Sequence, residues 1–185
     1  MKKIFLLATL FAIVLLSAFT KQNSNLNKKK KGIYAFKVAG LEGGKINFAK
    51  YKGKKILIVN TASKCGYTPQ YKDLEALYQK YKDKLVIVGF PANNFGGQEP
   101  GTNTEIKEFC TKTYSVTFPM AAKVSVKGDD MAPIYKWLCS KELNGVLDAE
   151  IKWNFGKFLL DENGNMIAYF PSKVTPMSEE ITSKL

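Results

Sequence analysis

The 185-residue chain contains no histidine and no arginine, and only three cysteines. Without histidine there is no Ser-His-Asp or Cys-His nucleophile arrangement, no His-ligated zinc or haem, and no imidazole proton shuttle. Without arginine, bidentate reading of guanine or phosphate is lost, so a net charge of +12 does not point to nucleic acid. Every cation is a lysine, four of them together at Lys28–Lys31. The charge reads as a solvated surface with weak attraction for anionic membrane. Cys65, Cys110 and Cys139 are too few for a Cys-only metal site, and no cofactor is implied. A CxxC pair is missing too: the residue three after Cys65 is Thr68, so there is no thioredoxin-type dithiol. Chemistry has to rest on thiol, amide, indole or carboxylate groups.

Apolar content of 45% and charged content of 24% fit one globular domain behind a targeting segment. Lys2 and Lys3 precede the almost wholly apolar stretch Ile4–Phe19, so residues 1–20 read as a signal peptide. Left uncleaved, residues 4–19 would form an N-terminal anchor, although they are short for a full span. Either way the chain is expected to be exported, to a periplasm or the exterior. Three cysteines in an exported chain leave one free or exchanging. Residues 21–32 are a Lys- and Asn-rich tether without periodicity.

Beyond the tether, the chain turns on Val59–Pro69, VNTASKCGYTP. The apolar run Ile56–Val59 reads as a buried strand, and Tyr71, Leu74, Leu77, Tyr78 and Tyr81 form the stripe of an amphipathic helix. Thr68 is the candidate N-cap, with Pro69 at the first helical position. Cys65 therefore falls between strand and helix, where backbone N–H groups and the helix dipole favour a thiolate. From position alone, a small apolar residue packed under a loop is an equal reading.

In order, Ile33–Val38 and Lys45–Phe48 read as strands flanking a turn at Gly43-Gly44. Strand Lys54–Thr61, helix Thr68–Tyr81 and strand Leu85–Phe90 make a parallel β-α-β unit. Pro91–Gly101 is irregular. A helix capped at Thr102 or Asn103 carries Ile106, Phe109 and Cys110 on one face. Phe118-Pro119 and Val124–Val126 suggest a strand. A helix capped by Asp129 or Asp130 carries Met131, Ile134, Tyr135 and Leu138. Phe155–Leu160 and Met166–Phe170 flank a hairpin turn at Glu162–Asn165, and Met177–Leu185 reads as a short helix opened by Ser178. The expected class is α/β: a mixed central sheet with helices on its faces, led by an N-terminal β-hairpin. In such sheets sites lie beyond the carboxyl ends of strands, where Cys65 falls. Taken singly, Trp153 reads as a core or surface aromatic, Asn154 as a turn residue and Gln98 as a solvated loop residue.

Four blocks in order, NTASKCGYTPQYKDLEALYQKYKDK, GFPANNFGGQEPGTNTEIKEFC, VTFP and IKWNFGKFLLDENG, resemble the glutathione peroxidase family in its cysteine form. The resemblance spans residues 33–185. It implies a thioredoxin-like fold and reduction of hydrogen peroxide or organic hydroperoxides to water or alcohol. It places the family's catalytic tetrad on Cys65, Gln98, Trp153 and Asn154. By the same resemblance Cys110 is the resolving cysteine of members recycled by a thioredoxin-like reductant; its spacing alone suits a buried helix position. Glutathione as donor, or a redox relay to a partner protein, are the alternatives. Two departures stand out: Ala92 replaces a cysteine common in relatives, and Asn94 replaces a longer amide. Cys139 matches no family motif and reads as structural. The short segment Lys141–Glu150 argues, by analogy, for a monomer.

Overall fold

The computed structural model describes residues 32–185; the expected signal segment and the tether through residue 31 lie outside them. Strands β1 (Lys37–Ala39) and β2 (Lys45–Asn47) pair antiparallel as the expected hairpin. Its turn needs glycine: Gly43 and Gly44 have φ of +86° and +67°, a region L side chains avoid. Residues 33–35, expected as the start of a strand, form a 3₁₀ turn instead, closed by the Phe36 amide on the Ile33 carbonyl.

The main sheet is built on β3 (Lys55–Thr61). It runs parallel to β4 (Leu85–Pro91) and antiparallel to β5 (Lys157–Leu160), which pairs with β6 (Met166–Phe170). The strand order is β4-β3-β5-β6. Both faces are covered, which is why β3 and β4 read as unbroken apolar runs rather than alternating ones. Ile56 and Ile58 point into one cluster with Phe158, Tyr135 and Leu138; Leu57 and Val59 point into the other with Tyr71, Leu74 and Leu77. All ten of these side chains are essentially inaccessible, each contributing roughly 1.5–3 kcal/mol relative to exposure for the aliphatic ones.

The second face is covered by α1 (Gln70–Tyr81) and α2 (Asn103–Tyr114). α2 starts at a capping box: the Glu105 amide donates to the Thr102 hydroxyl, and the Thr102 amide donates to the Glu105 carboxylate. It stops at Ser115, in the left-handed region at φ 51°. The first face is covered by α3 (Pro133–Cys139), which is followed by the single turns α4 (Lys141–Asn144) and, at the end, α5 (Glu179–Thr182).

Two expectations are corrected. Phe118–Val126 is not a strand: Met120 and Ala121 make only isolated bridges to Gly89 and Gly40. Its other donors go elsewhere, Val124 to the Pro91 carbonyl and Val126 to the Asn94 side chain. The following helix is not capped by Asp129 or Asp130. It begins at Pro133 with Ala132 at the cap, while Asp130 accepts from the Ser125 hydroxyl and so stays in the preceding loop.

Candidate active site

β3 delivers the chain into the turn 62–68, and Thr68 ties that turn together. Its hydroxyl donates to the Ala62 carbonyl at 2.8 Å and accepts from the Cys65 amide at 2.9 Å, while its own amide donates to the Cys65 carbonyl. Thr68 is thus spent on the cysteine turn rather than on capping α1, whose cap position is held by Pro69. The Tyr67 amide points at Cys65 Sγ, 3.4 Å away, placed to donate to a thiolate. Cys65 retains 8% exposure, so the residue is walled in but not closed off.

The loop after β4 docks onto this turn through its backbone. The Lys64 amide donates to the Gln98 carbonyl at 3.0 Å, which sets Gln98 beside the residue preceding Cys65. Gln98 in turn accepts, through Oε1, a bond of 3.0 Å from the Asn154 side-chain amide. With its carbonyl oxygen occupied, Gln98 keeps its NH₂ group as a donor that no other described residue uses. Trp153 is 39% exposed; its ring leans on Phe95 at 5.9 Å between centroids, and its carbonyl accepts from Asn60 Nδ2. Residues from positions 60–68, 93–99 and 153–156 are therefore joined by hydrogen bonds into one assembly. Gln98 and Asn154 touch directly, and Trp153 is held by its backbone.

Cys110 stands apart from that pair. It lies in the second half of α2, 2% exposed, at the contact with α1. Burial pushes its thiol up to about 11, and Tyr71 and Glu99 are the polar groups facing it. It lines a cavity of about 340 Å³ whose other walls include Leu41, Lys107, Phe118 and Met120. A different cavity, about 380 Å³, opens beside the cysteine turn between Ser63, Lys64, Pro100, Ile106 and Phe109. Cys139 closes α3, half-buried, and burial likewise raises it to about 11. Ala92 is fully buried, and Asn94 staples the loop that follows Val124 through Ser125, Val126 and Lys127. Among the described residues no cluster of three or more Cys, Asp or Glu is arranged to hold a metal ion.

Several supporting residues have no signature in the sequence. Glu99 is fully buried, bonded through Oε1 to the Ser63 hydroxyl while Oε2 has no partner among the described residues; burial raises its carboxyl above the usual range. Asn60, at the end of β3, clamps the turn after Trp153 with both backbone and side chain. Ser172 donates to the Asn154 carbonyl at 2.5 Å. None of these follows from spacing, because each partner lies at least 18 residues away in the chain.

Comparison with known proteins shows the family. Residues 33–139 match the family described as glutathione peroxidase. The chain is 53% identical over 136 residues to the glutathione peroxidase-like peroxiredoxin gpx1 of Schizosaccharomyces pombe, covering 73% of this chain and 85% of that one. It is 48% identical over 155 residues to the glutathione peroxidase of Lactococcus lactis, covering 82% and 98%. Among solved structures it is similar to the apo crystal structure of Trgpx, with 42% identity, a TM-score of 0.65 and coverage of 83% and 92%. A DsbF homologue of Corynebacterium diphtheriae, at 18% identity and a TM-score of 0.57 with coverage of 81% and 83%, shares the thioredoxin-like fold alone. A thioredoxin-like sheet, a cysteine at the mouth of its central strand, and relatives at half identity over most of their length have one common meaning: this chain belongs to the glutathione peroxidase family and is a peroxidase of the thiol type.

Proposed function

We propose that Cys65 is the residue oxidised by peroxide and that Gln98, Trp153 and Asn154 are its neutral donors. The thiolate attacks the distal oxygen of a hydroperoxide; the O–O bond breaks, Cys65 becomes a sulfenic acid, and the leaving alkoxide or hydroxide takes a proton. Negative charge passes from sulfur to the leaving oxygen, so fixed N–H donors around that path lower the barrier without exchanging protons themselves. The observation that supports this reading is the chain of bonds Lys64–Gln98–Asn154, which ties the Gln98 backbone to the cysteine turn and the Asn154 side chain to Gln98.

Cys110 is the resolving thiol: its attack on the Cys65 sulfenic acid forms the disulfide and expels water. The two Cα atoms must lie within roughly 7 Å for this, and Cys110 is buried in the second half of α2, so we infer that this part of the helix opens locally to free the thiol. A thioredoxin-like dithiol then reopens the disulfide by exchange. We further infer export through residues 1–20, with residues 4–19 as an anchor if uncleaved, and a monomeric enzyme acting on hydrogen peroxide and organic hydroperoxides. The test is peroxide consumption by wild type, Cys65→Ser and Cys110→Ser, with thioredoxin and glutathione compared side by side. Cys65→Ser should be inactive with both donors, and Cys110→Ser should lose turnover with thioredoxin. Full thioredoxin-driven turnover by Cys110→Ser would remove Cys110 from the mechanism.

A further inference from the structure

The turn Trp153–Gly156 is held at all four of its carbonyls. Asn60 Nδ2 donates to that of Trp153, the Ser172 hydroxyl to that of Asn154, Lys157 Nζ to that of Phe155 at 2.7 Å, and the Asn60 amide to that of Gly156. The Phe155 amide donates back to the Asn60 carbonyl at 2.6 Å. The turn needs this grip. Phe155 has φ +65°, a left-handed conformation that strains a bulky residue and persists only where the surroundings over-determine it. Space is equally tight: a Cβ at Gly156 would lie 2.9 Å from the Tyr169 hydroxyl and 3.1 Å from Asn60 Oδ1.

Among these donors Lys157 is the anomaly. It is fully buried on β5, opposite Val59 of β3 and Phe170 of β6, on the apolar face shared with α1. No carboxylate among the described residues pairs with it, and the Phe155 carbonyl is its one hydrogen-bond acceptor there. Leaving an ammonium there without a counter-charge is costly, and burial alone brings its pKa down to about 7. A methionine would fill the same space without that penalty. The amine has a use only at its tip, and its tip is on Phe155.

We propose that Lys157 is a positioning residue for the peroxide-reducing site. Its Nζ fixes the Phe155 carbonyl and so holds the left-handed turn that aims the Trp153 indole and the Asn154 amide. The proposal rests on the reading of those two side chains as donors to the peroxide reaction.

The two half-reactions separate this role from a general one in stability. Oxidation is followed by stopped-flow tryptophan fluorescence after mixing reduced enzyme with hydrogen peroxide. Reduction is followed by mixing the oxidised enzyme with dithiothreitol. In Lys157→Met, oxidation should slow 10- to 100-fold while reduction stays within twofold of wild type. Lys157→Gln, one bond shorter but still a donor, should fall between. Oxidation within threefold of wild type in the folded methionine variant overturns the proposal, as does an equal loss in both half-reactions. Should the methionine variant not fold, Lys157→Gln is read alone: a loss of threefold or more confined to oxidation supports the role, and anything less overturns it. Wild type and Cys65→Ser run alongside. A wild type inert to peroxide, or a Cys65→Ser variant as active as wild type, would strike the underlying site assignment rather than the role of Lys157.

Discussion

Thr68 shows how one hydroxyl can decide the shape of the cysteine turn. Replacing it with valine keeps the volume but leaves the Cys65 amide and the Ala62 carbonyl buried and unpaired. Each orphaned group costs about 1–3 kcal/mol, so Thr68→Val should lower stability in urea titration by about 2–6 kcal/mol, and Thr68→Ser by much less. At the same scale the two proposed redox thiols should differ sharply toward alkylation. Cys110, with its thiol raised to about 11 by burial, should resist iodoacetamide at pH 8 in the native protein and react once it is unfolded. Peptide mapping of the labelled sites reads this directly. Comparable labelling of Cys110 in native and unfolded protein would mean that α2 opens freely before any oxidation.

α2 is the element on which the proposed resolving step depends, because Cys110 is locked within it. Its two ends offer opposite handles. Thr102→Ala removes the capping box and should destabilise the protein by about 1 kcal/mol. Ser115→Gly relieves a left-handed residue and should stabilise it by roughly 0.5–1 kcal/mol. If disulfide closure requires local opening of α2, single-turnover closure should be faster in Thr102→Ala and slower in Ser115→Gly. Equal closure rates in both variants and wild type would count against an opening step. The elements themselves were unequally legible. Ile56–Val59 and Leu85–Phe90 read correctly because a sheet covered on both faces needs unbroken apolar strands. Phe118–Val126 misled, since its apolar residues face the core while its amides serve Pro91 and Asn94. Thr68 misled for a related reason: a capping residue type two positions before the helix was already engaged in the preceding turn.

Across the whole molecule, the buried ionisable groups set how stability varies with pH. Lys157 binds its proton less tightly when folded, about 7 against 10.5 when unfolded. The unfolded state then holds more protons between those values, so stability rises with pH over that range and the gain is lost as pH falls to about 7. Cys110 and Cys139 act the other way. Their folded values near 11 exceed the usual 9, so their contribution is present below pH 9 and disappears as pH climbs through 11. Urea unfolding should therefore show stability increasing between pH 7 and 9, by up to about 2–3 kcal/mol from Lys157, then declining. Lys157→Met should flatten the rise and keep the decline. The site as a whole was readable only through its four sequence blocks, because Gln98 and Asn154 are 56 residues apart and no periodicity connects them. A buried lysine in a strand is invisible to any hydrophobic pattern, which marks it as a surface residue.

The most direct measurement is the fate of oxygen from one equivalent of hydrogen peroxide. Reduced Cys110→Ser protein, treated in the presence of dimedone and mapped by mass spectrometry, should carry one adduct, on Cys65. An unlabelled Cys65, with the adduct on Cys139 or with the peroxide left unconsumed, would contradict a mechanism centred on that sulfur.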